Sequence, residues 1–371
     1  MQLIYFVIFT SSILTMTPVL GETSSIIYIG SLLILLIKVN AKYNFIYKRI
    51  TMLILLLLLC LFSISFINHP STYGIVNILK LLLLITIPFS LWGKALNQEK
   101  QMIDIYKAAW VSVIIISIAS LISIFTNQIL FSNTNGLGSF AAISIIISLL
   151  FNNIISSRAL YFMNTSNLII SGFLLITSSS RTSFIVVIVA IIIYLFSTIW
   201  KKRYSLRISM LRLFVSFILI FVGLFYFEKA IHLINEKIVS KFVRKSQEND
   251  LLDQRTSFWD TALQDINLWG NGDLYFITNF GTSSHNSFIH LLISYGWLIF
   301  VLLSLLMIYS LIKIFLTPNN KKIFIILPLI HFTLGSLTEN ILYGLSMTLS
   351  ILLLPIMLSK DGDNFEKYKS N

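Results

Sequence analysis

Residues 161–199 read YFMNTSNLIISGFLLITSSSRTSFIVVIVAIIIYLFSTI, two apolar runs (161–178 and 182–199) that meet at Ser178-Ser179-Ser180-Arg181-Thr182-Ser183. Each run has the length that an α-helix needs to cross a hydrocarbon core, about 17–25 residues. The one charge in the stretch, Arg181, falls at the junction. In hydrocarbon a run of this kind satisfies its backbone polar groups internally only as a helix, and the roughly ten-residue alternation of a barrel strand is missing.

The same texture continues in both directions. Of 371 residues, 56% are hydrophobic and 11% charged, and the mean hydropathy is +0.86, whereas an ordinary soluble domain carries about a quarter charged residues. A water-soluble fold is thereby excluded. Apolar runs bounded by polar clusters give twelve expected spans: 3–20, 24–38, 50–67, 74–93, 107–126, 138–151, 161–178, 182–199, 213–227, 287–312, 323–338 and 341–358. The expected fold is an all-α polytopic membrane protein, one helical domain over 1–371. Its only sizeable hydrophilic region is a long loop over 228–285. The opening MQLIYFVIFTSSILTMTPVL lacks a basic leader region and a small-residue cleavage site, so it reads as a first membrane helix and not a removable signal. Cys60 lies inside an apolar run with no partner for a disulfide and behaves as a small hydrophobe.

A net charge of +12 raises the question of nucleic acid, and the distribution of the charge answers it. With both termini in the cytoplasm, most of the 27 Lys and Arg residues fall in inner loops, among them Lys38, Lys42, Lys48, Arg49 and the cluster Lys201 to Arg212. The short outer loops hold almost none. Arg181 and six residues of the long loop (Lys229, Lys237, Lys241, Arg244, Lys245 and Arg255) remain outside. Because the positive-inside bias acts on short loops and long loops cross largely regardless of charge, this is the expected partition for a multi-pass membrane protein with both termini in the cytoplasm. The expected partner of the basic residues is membrane lipid, with no nucleic acid.

Four polar constellations fall on the outer side in that register: Asn133-Thr134-Asn135-Gly136-Leu137-Gly138, the Ser178 to Ser183 junction, the stretch from Arg255 to Trp259, and His285-Asn286. In the long loop, Arg255, Phe258, Trp259, Ala262, Leu263 and Ile266 recur at helical spacing with Asp253 as a candidate N-cap. This predicts an amphipathic helix at the outer interface, followed by a turn at Gly270-Asn271-Gly272. Arg181 must snorkel, find an anion or be buried at high cost. A guanidinium stays charged at working pH and suits bidentate binding of a diphosphate; an interfacial anchor on lipid phosphates is the alternative. Arg255 has a plainer reading too, as a solvated residue on the polar side of its helix. His285 precedes a span and carries the side chain best suited to accept a proton near neutrality, although a polar helix start explains it as well. His69, His232, His290 and His331 carry only the plainer reading. Lys80, within the span 74–93, is either a buried functional charge or a snorkelling residue. Glu339, at a span end, is a weaker candidate for orienting a sugar. No HExxH, Cys/His cluster, phosphate loop or dinucleotide motif is present, so neither a metal nor a cofactor is expected.

Together these motifs resemble the O-antigen ligase and polymerase family, the Wzy-type and ligase-type enzymes of surface polysaccharide assembly. The resemblance rests on Ser180-Arg181-Thr182, Arg255-Thr256-Ser257-Phe258-Trp259, Gly270-Asn271-Gly272, and His285-Asn286-Ser287 with Tyr295-Gly296 about ten residues on. It covers roughly 130–345; the first third of the chain is generic membrane helix. Asn133 to Gly138 is similar to the family's Asn-rich turn but has Thr134 where Pro is common. The resemblance implies a GT-C-like helical fold and an inverting transfer from a polyprenyl diphosphate-linked oligosaccharide, without metal or nucleotide sugar. Flippase and chain-length-regulating proteins are the further partners it suggests. It assigns Arg181 and Arg255 to the diphosphate and His285 to the acceptor hydroxyl, with Asn133, Asn135, Asn286, Trp259 and Glu339 as positioning candidates. Polymerisation is the expected activity. Ligation to another acceptor, transport of a lipid-linked glycan without bond chemistry, and a noncatalytic assembly role are the rivals.

Overall fold

The structure is a computed structural model that describes residues 2–15, 17, 21–42, 49–71, 75–76, 79–80, 83, 98–126, 130–131, 134–155, 157–201, 255–316 and 319–338. The expected spans 213–227 and 341–358, most of 74–93, and Asn133, Asp253 and Glu339 lie outside the described residues, as do the basic residues of the long loop before Arg255. Twelve helices are formed among the described residues: α1 (Gln2–Leu14), α2 (Gly21–Lys42), α3 (Arg49–Asn68), α4 (Gln98–Phe125), α5 (Thr134–Phe151), α6 (Arg158–Ser178), α7 (Arg181–Lys201), α8 (Arg255–Gln264), α9 (Tyr275–Phe280), α10 (Ser287–Tyr295), α11 (Trp297–Leu316) and α12 (Asn319–Thr338). No strand occurs among the described residues.

Three described stretches, Ile103–Phe125, Thr134–Phe151 and Arg158–Ser178, are long and apolar enough to cross a membrane. The distribution of polarity around the helices agrees. On α4, Val111, Ile115, Ile118, Ile122 and Phe125 are exposed, whereas Ser112, Ser117 and Ser120 are buried. On α7, Ile185, Ile188, Ile192 and Phe196 are exposed, and on α11 Val301, Leu305, Ile308 and Ile312. Steps of three and four residues place each set on one stripe of its helix. Continuous apolar stripes outside with hydroxyls inside suit a hydrocarbon solvent and would be an aggregation liability in water. The protein is an all-α membrane protein.

The chain divides into two compact units, one of residues 1–109 with 255–371 and the other of residues 110–254. In the second, α5 packs against α6 and α7 and is buried continuously from Gly138 to Phe151. A polar seam runs through it. Ser144 Oγ lies 2.8 Å from Ser171 Oγ and 3.3 Å from Ser117 Oγ, and Asn167 Nδ2 donates to Ser144 Oγ at 3.1 Å and Ser148 Oγ at 2.8 Å. Asn164 accepts from Trp110 Nε1 at 2.8 Å and donates to Ser148 O at 3.0 Å. In the first unit, α1 packs on α2, α11 on α3, and α10 on α8, α9, α11 and α12.

Several expected boundaries change. The helix expected over 107–126 begins at Gln98, because Gln98, Glu99, Lys100 and Gln101 are themselves good helix formers and Gln2 Nε2 donates to Asp104 at 2.6 Å within the lead-in. The span expected over 287–312 is broken into α10 and α11 at Gly296, whose φ of +87° is outside helical space. Residues 134–138 of the expected Asn-rich turn instead begin α5. The apolar face of α8 is narrower than its spacing predicts. Ala262 is buried against Tyr275, Phe276 and Ile293, with Phe258 packed beside it, but Leu263 and Ile266 are exposed. Leu263 is rotated about 100° from Ala262, and Ile266 lies past the helix end at Gln264.

Candidate functional site

Arg181 is the first residue of α7 and is half-buried. The local sequence dictates this. Ser179 ends α6 in the left-handed conformation (φ 53°), its N–H donating to Ile176 O. Ser180 N then donates to Ser178 Oγ at 3.3 Å, and Ser180 Oγ lies 2.9 Å from Ser183 Oγ, a serine pair spanning the first turn of α7. Ser178, Ser180 and Ser183 are all buried. Gly138 brings the first turn of α5 against this junction: a Cβ at that position would lie 2.4 Å from Ser180 Cβ and 2.8 Å from Ser178 Oγ. The turn that carries Asn135, itself half-buried, therefore lies beside the start of α7. The start of α5 and the start of α7, with Arg181 as the first residue of α7, thus lie side by side.

The first unit holds the other candidates. Arg255 is the first residue of α8. His285, Asn286 and Trp259 are brought together. Trp259 Nε1 donates to Ser284 O at 2.7 Å, which ties α8 to the turn before α10. His285 has φ +51°, a left-handed backbone that His, Asn and Asp adopt more readily than other non-glycine residues, and its Nε2 lies 3.3 Å from Thr282 Oγ1. Asn286 is the N-cap of α10: its Oδ1 accepts from Phe288 N at 2.9 Å and Ile289 N at 3.0 Å, and its Nδ2 donates to Leu337 O on α12 at 3.0 Å. The polar groups of Asn286 and Trp259 thus shape the turn that presents His285.

Gly270-Asn271-Gly272 closes the other end of α10. Asn271 N donates to Ile293 O at 2.9 Å and Gly272 N to Ser294 O at 3.0 Å, capping carbonyls that the helix leaves unpaired. Gly270 (φ +85°) and Gly296 (φ +87°) leave no room for a side chain: a Cβ would come within 2.3 Å of Ser294 O and of Leu268 O respectively. The glycines are therefore architectural.

Beside this turn is a buried cluster that sequence reasoning missed. His290 Nε2 lies 3.2 Å from Asp273 Oδ1, and Tyr295 OH donates to the same oxygen at 3.1 Å. Seventeen residues separate His290 from Asp273, so no local spacing announced the pair. Nearby, Tyr275 donates its hydroxyl to Asp265. Burial, and then that hydrogen bond and the aspartate's charge, push the phenol up to about 12. The seam of Asn164, Asn167 and Ser171 was missed too, although its steps of three and four residues are a helical stripe.

Fold and site thus define a helical membrane protein with polar junctions at helix starts. Residues 166–304 match the family described as O-antigen ligase. That segment includes Arg181, Arg255, Gly270, Gly272, His285 and Gly296, and over it the resemblance read from the motifs is borne out. A comparison with curated proteins returned no match.

Proposed function

We propose that the protein is a glycan polymerase, joining polyprenyl diphosphate-linked oligosaccharide units into a surface polysaccharide at the outer face of the bacterial cytoplasmic membrane. In this reading the chain makes about twelve spans with both termini cytoplasmic, adopts a GT-C-like arrangement, and presents its long loop outside. The observation that carries the proposal is the O-antigen ligase match over 166–304, which spans Arg181, Arg255 and His285. Departure of the lipid diphosphate leaves negative charge, and donors fixed where charge develops lower the barrier. Arg181, held at the α5–α7 junction by the buried serines, has the preorganisation such a donor needs. Arg255 is assigned to the same diphosphate. His285 takes the proton from the acceptor hydroxyl as that oxygen attacks the anomeric carbon and the diphosphate leaves. A single displacement inverts the anomeric centre, and no metal is assigned a role. Asn133, Asn135, Asn286, Trp259 and Glu339 are assigned to positioning.

The family's description as O-antigen ligase favours one second reading, transfer of a finished glycan to a different acceptor. Purified protein in liposomes, given its host's lipid-linked repeat unit without nucleotide sugar, separates the two. The expected result is a ladder of products in wild type that is lost in Arg181→Ala, Arg255→Ala and His285→Ala. A single transfer to another acceptor indicates ligation. Translocation of glycan with no new glycosidic bond, from folded protein and authentic substrate, sinks both and supports a transporter.

A further inference from the structure

The proposed transfer leaves an exposed apolar surface without a task. On α11 the outward stripe of Val301, Leu305, Ile308 and Ile312 begins one turn earlier, at Trp297, which is also exposed. α11 has 20 residues, about 30 Å of helix, enough to cross a hydrocarbon core by itself. Trp297 therefore stands where hydrocarbon gives way to headgroups, the level at which tryptophan collects in membrane proteins. Its N–H donates to Asn267 O at 3.2 Å, and Asn267 Oδ1 accepts from Trp269 N at 3.0 Å. A Cβ on Gly296 would meet Leu268 O, so the segment after α8 is folded onto the break between α10 and α11. From that segment Ile266 and Trp269 are exposed, as are Leu274 and Ile277, three residues apart at the start of α9.

We infer that Ile266, Trp269, Leu274, Ile277 and Trp297 form a collar immersed in the membrane at the boundary between hydrocarbon and headgroups. The occupant is lipid because the collar continues the outward stripe of α11, and a large exposed apolar surface at that level is stable only when covered. The inward face is already spent: Ala262 of α8 is buried with Tyr275 and Phe276 of α9 and Ile293 of α10. Lipid contact thus falls to the segment that follows α8, not to the buried face of α8 itself. Between Arg255 and Lys313 the sequence holds Asp260, Asp265 and Asp273 and no Lys or Arg. Anionic headgroups are drawn to basic segments, so this surface enters the membrane by its apolar side chains and without regard to lipid charge. α10 has 9 residues, about 14 Å of rise, so the collar holds the His285 turn within about that distance of the boundary. The further consequence, that His285 is kept at the level of a lipid-borne diphosphate, rests on the proposed polymerase reading.

The test reads depth in full-length protein reconstituted into phosphatidylcholine liposomes. In a Cys60→Ser background, Trp269→Cys, Ile277→Cys and, as a reference on the exposed polar side of α8, Thr261→Cys are each labelled with a nitroxide. Collisions with oxygen, which concentrates in hydrocarbon, are compared with collisions with a water-soluble nickel chelate. The ratio of oxygen to nickel collisions is expected to be several-fold higher at 269 and 277 than at 261, and unchanged when phosphatidylglycerol replaces part of the phosphatidylcholine. Nickel collisions at 269 and 277 equal to those at 261 overturn the collar. Labels shielded from both reagents indicate a protein partner or a second copy and overturn it too. Where the cysteine variants do not fold, lipids brominated near the headgroup end of the acyl chain keep the test decisive. Trp269→Phe and Trp297→Phe should each lower the fraction of tryptophan fluorescence that these lipids quench, and undiminished quenching in both overturns the collar. Because depth is read without turnover, an immersed collar in protein that makes no polymer removes the polymerase reading and leaves the collar. Polymer formation with water-exposed labels removes the collar alone.

Discussion

Replacing Asn286 separates two jobs that one side chain performs. Its Oδ1 caps the first turn of α10 through Phe288 N and Ile289 N, and its Nδ2 reaches Leu337 O on α12. Loss of an N-cap costs about 1 kcal/mol, and loss of the half-buried bond to the Leu337 carbonyl costs about another 1 kcal/mol. Asn286→Ala is therefore expected to destabilise the first unit by about 2 kcal/mol. Asn286→Ser keeps a capping oxygen but cannot span to α12, so it should lose about half as much. Asn286→Asp also keeps the cap and gains a favourable charge at the helix start, but it aims an acceptor at the Leu337 carbonyl and should rank with Ser or below. Denaturant titration of purified protein in detergent, followed by tryptophan fluorescence, gives the order. Trp259, bonded to Ser284 just before the cap, reports on the turn directly. Equal stability of the Ala and Ser variants would falsify the capping argument, and an Ala variant within about 0.5 kcal/mol of wild type, the scatter of ordinary surface substitutions, would remove both contributions.

Three further outcomes are expected. His285→Asn preserves a residue that tolerates the left-handed backbone and should keep the wild-type unfolding midpoint while abolishing polymer formation; if it retains activity, the imidazole has no proton to carry. Gly270→Ala and Gly296→Ala each force a Cβ into backbone atoms at positive φ and should cost upwards of about 1–3 kcal/mol from backbone strain alone, read as loss of monodisperse protein in detergent; normal yield from both contradicts the close packing. Tyr275, raised from 10.0 to about 12, stays protonated in the fold where it ionises in the unfolded chain, so its contribution is intact below about pH 10 and is lost as pH rises toward 12. Tyr275→Phe should therefore flatten the alkaline decline in stability between pH 10 and 12 relative to wild type, and parallel profiles refute the assignment.

How far the sequence could be read follows from which forces are local. Run length and hydropathy report transfer to hydrocarbon residue by residue, so helices were placed well wherever apolar composition alone set them, as for α3 and α6. Ends depend on capping and on polar residues with high helix propensity, and there the reading faltered. Gln98 to Gln101 looked like a loop because they are hydrophilic, not because they resist helix. Gly296 was visible as a letter, but only the approach of Leu268 O shows that it breaks a membrane-length run in two. The motif residues were legible as a set and not by function. Asn286 stood out beside His285, yet its cap and its bond to α12 needed coordinates. Asp273 with His290 could not be found, since the carboxylate and imidazole meet only once the Gly272 turn has folded against α10.

The second unit shows why a guanidinium at a membrane helix start demands so much around it. A lone Arg181 on a loose loop would lose in ordering what it gained in charge, because long side chains carry up to about 2 kcal/mol of rotamer entropy and the backbone about 1–2 kcal/mol per residue. Here the ordering is done in advance. The left-handed Ser179, the Ser180–Ser183 pair and the Gly138 contact fix the first turn of α7. Behind them the seam from Trp110 through Asn164, Ser148, Asn167, Ser144 and Ser171 pins α5 to α6. Each such bond in an apolar medium is worth only about 0.6 kcal/mol on average, so the seam contributes less through stability than through register. A slip of α5 by one residue would carry Gly138 away from Ser180 and present Ser139 or Leu137 in its place. The buried hydroxyls and amides are therefore best understood as the device that keeps one glycine opposite one serine, and through them fixes the turn that carries Arg181.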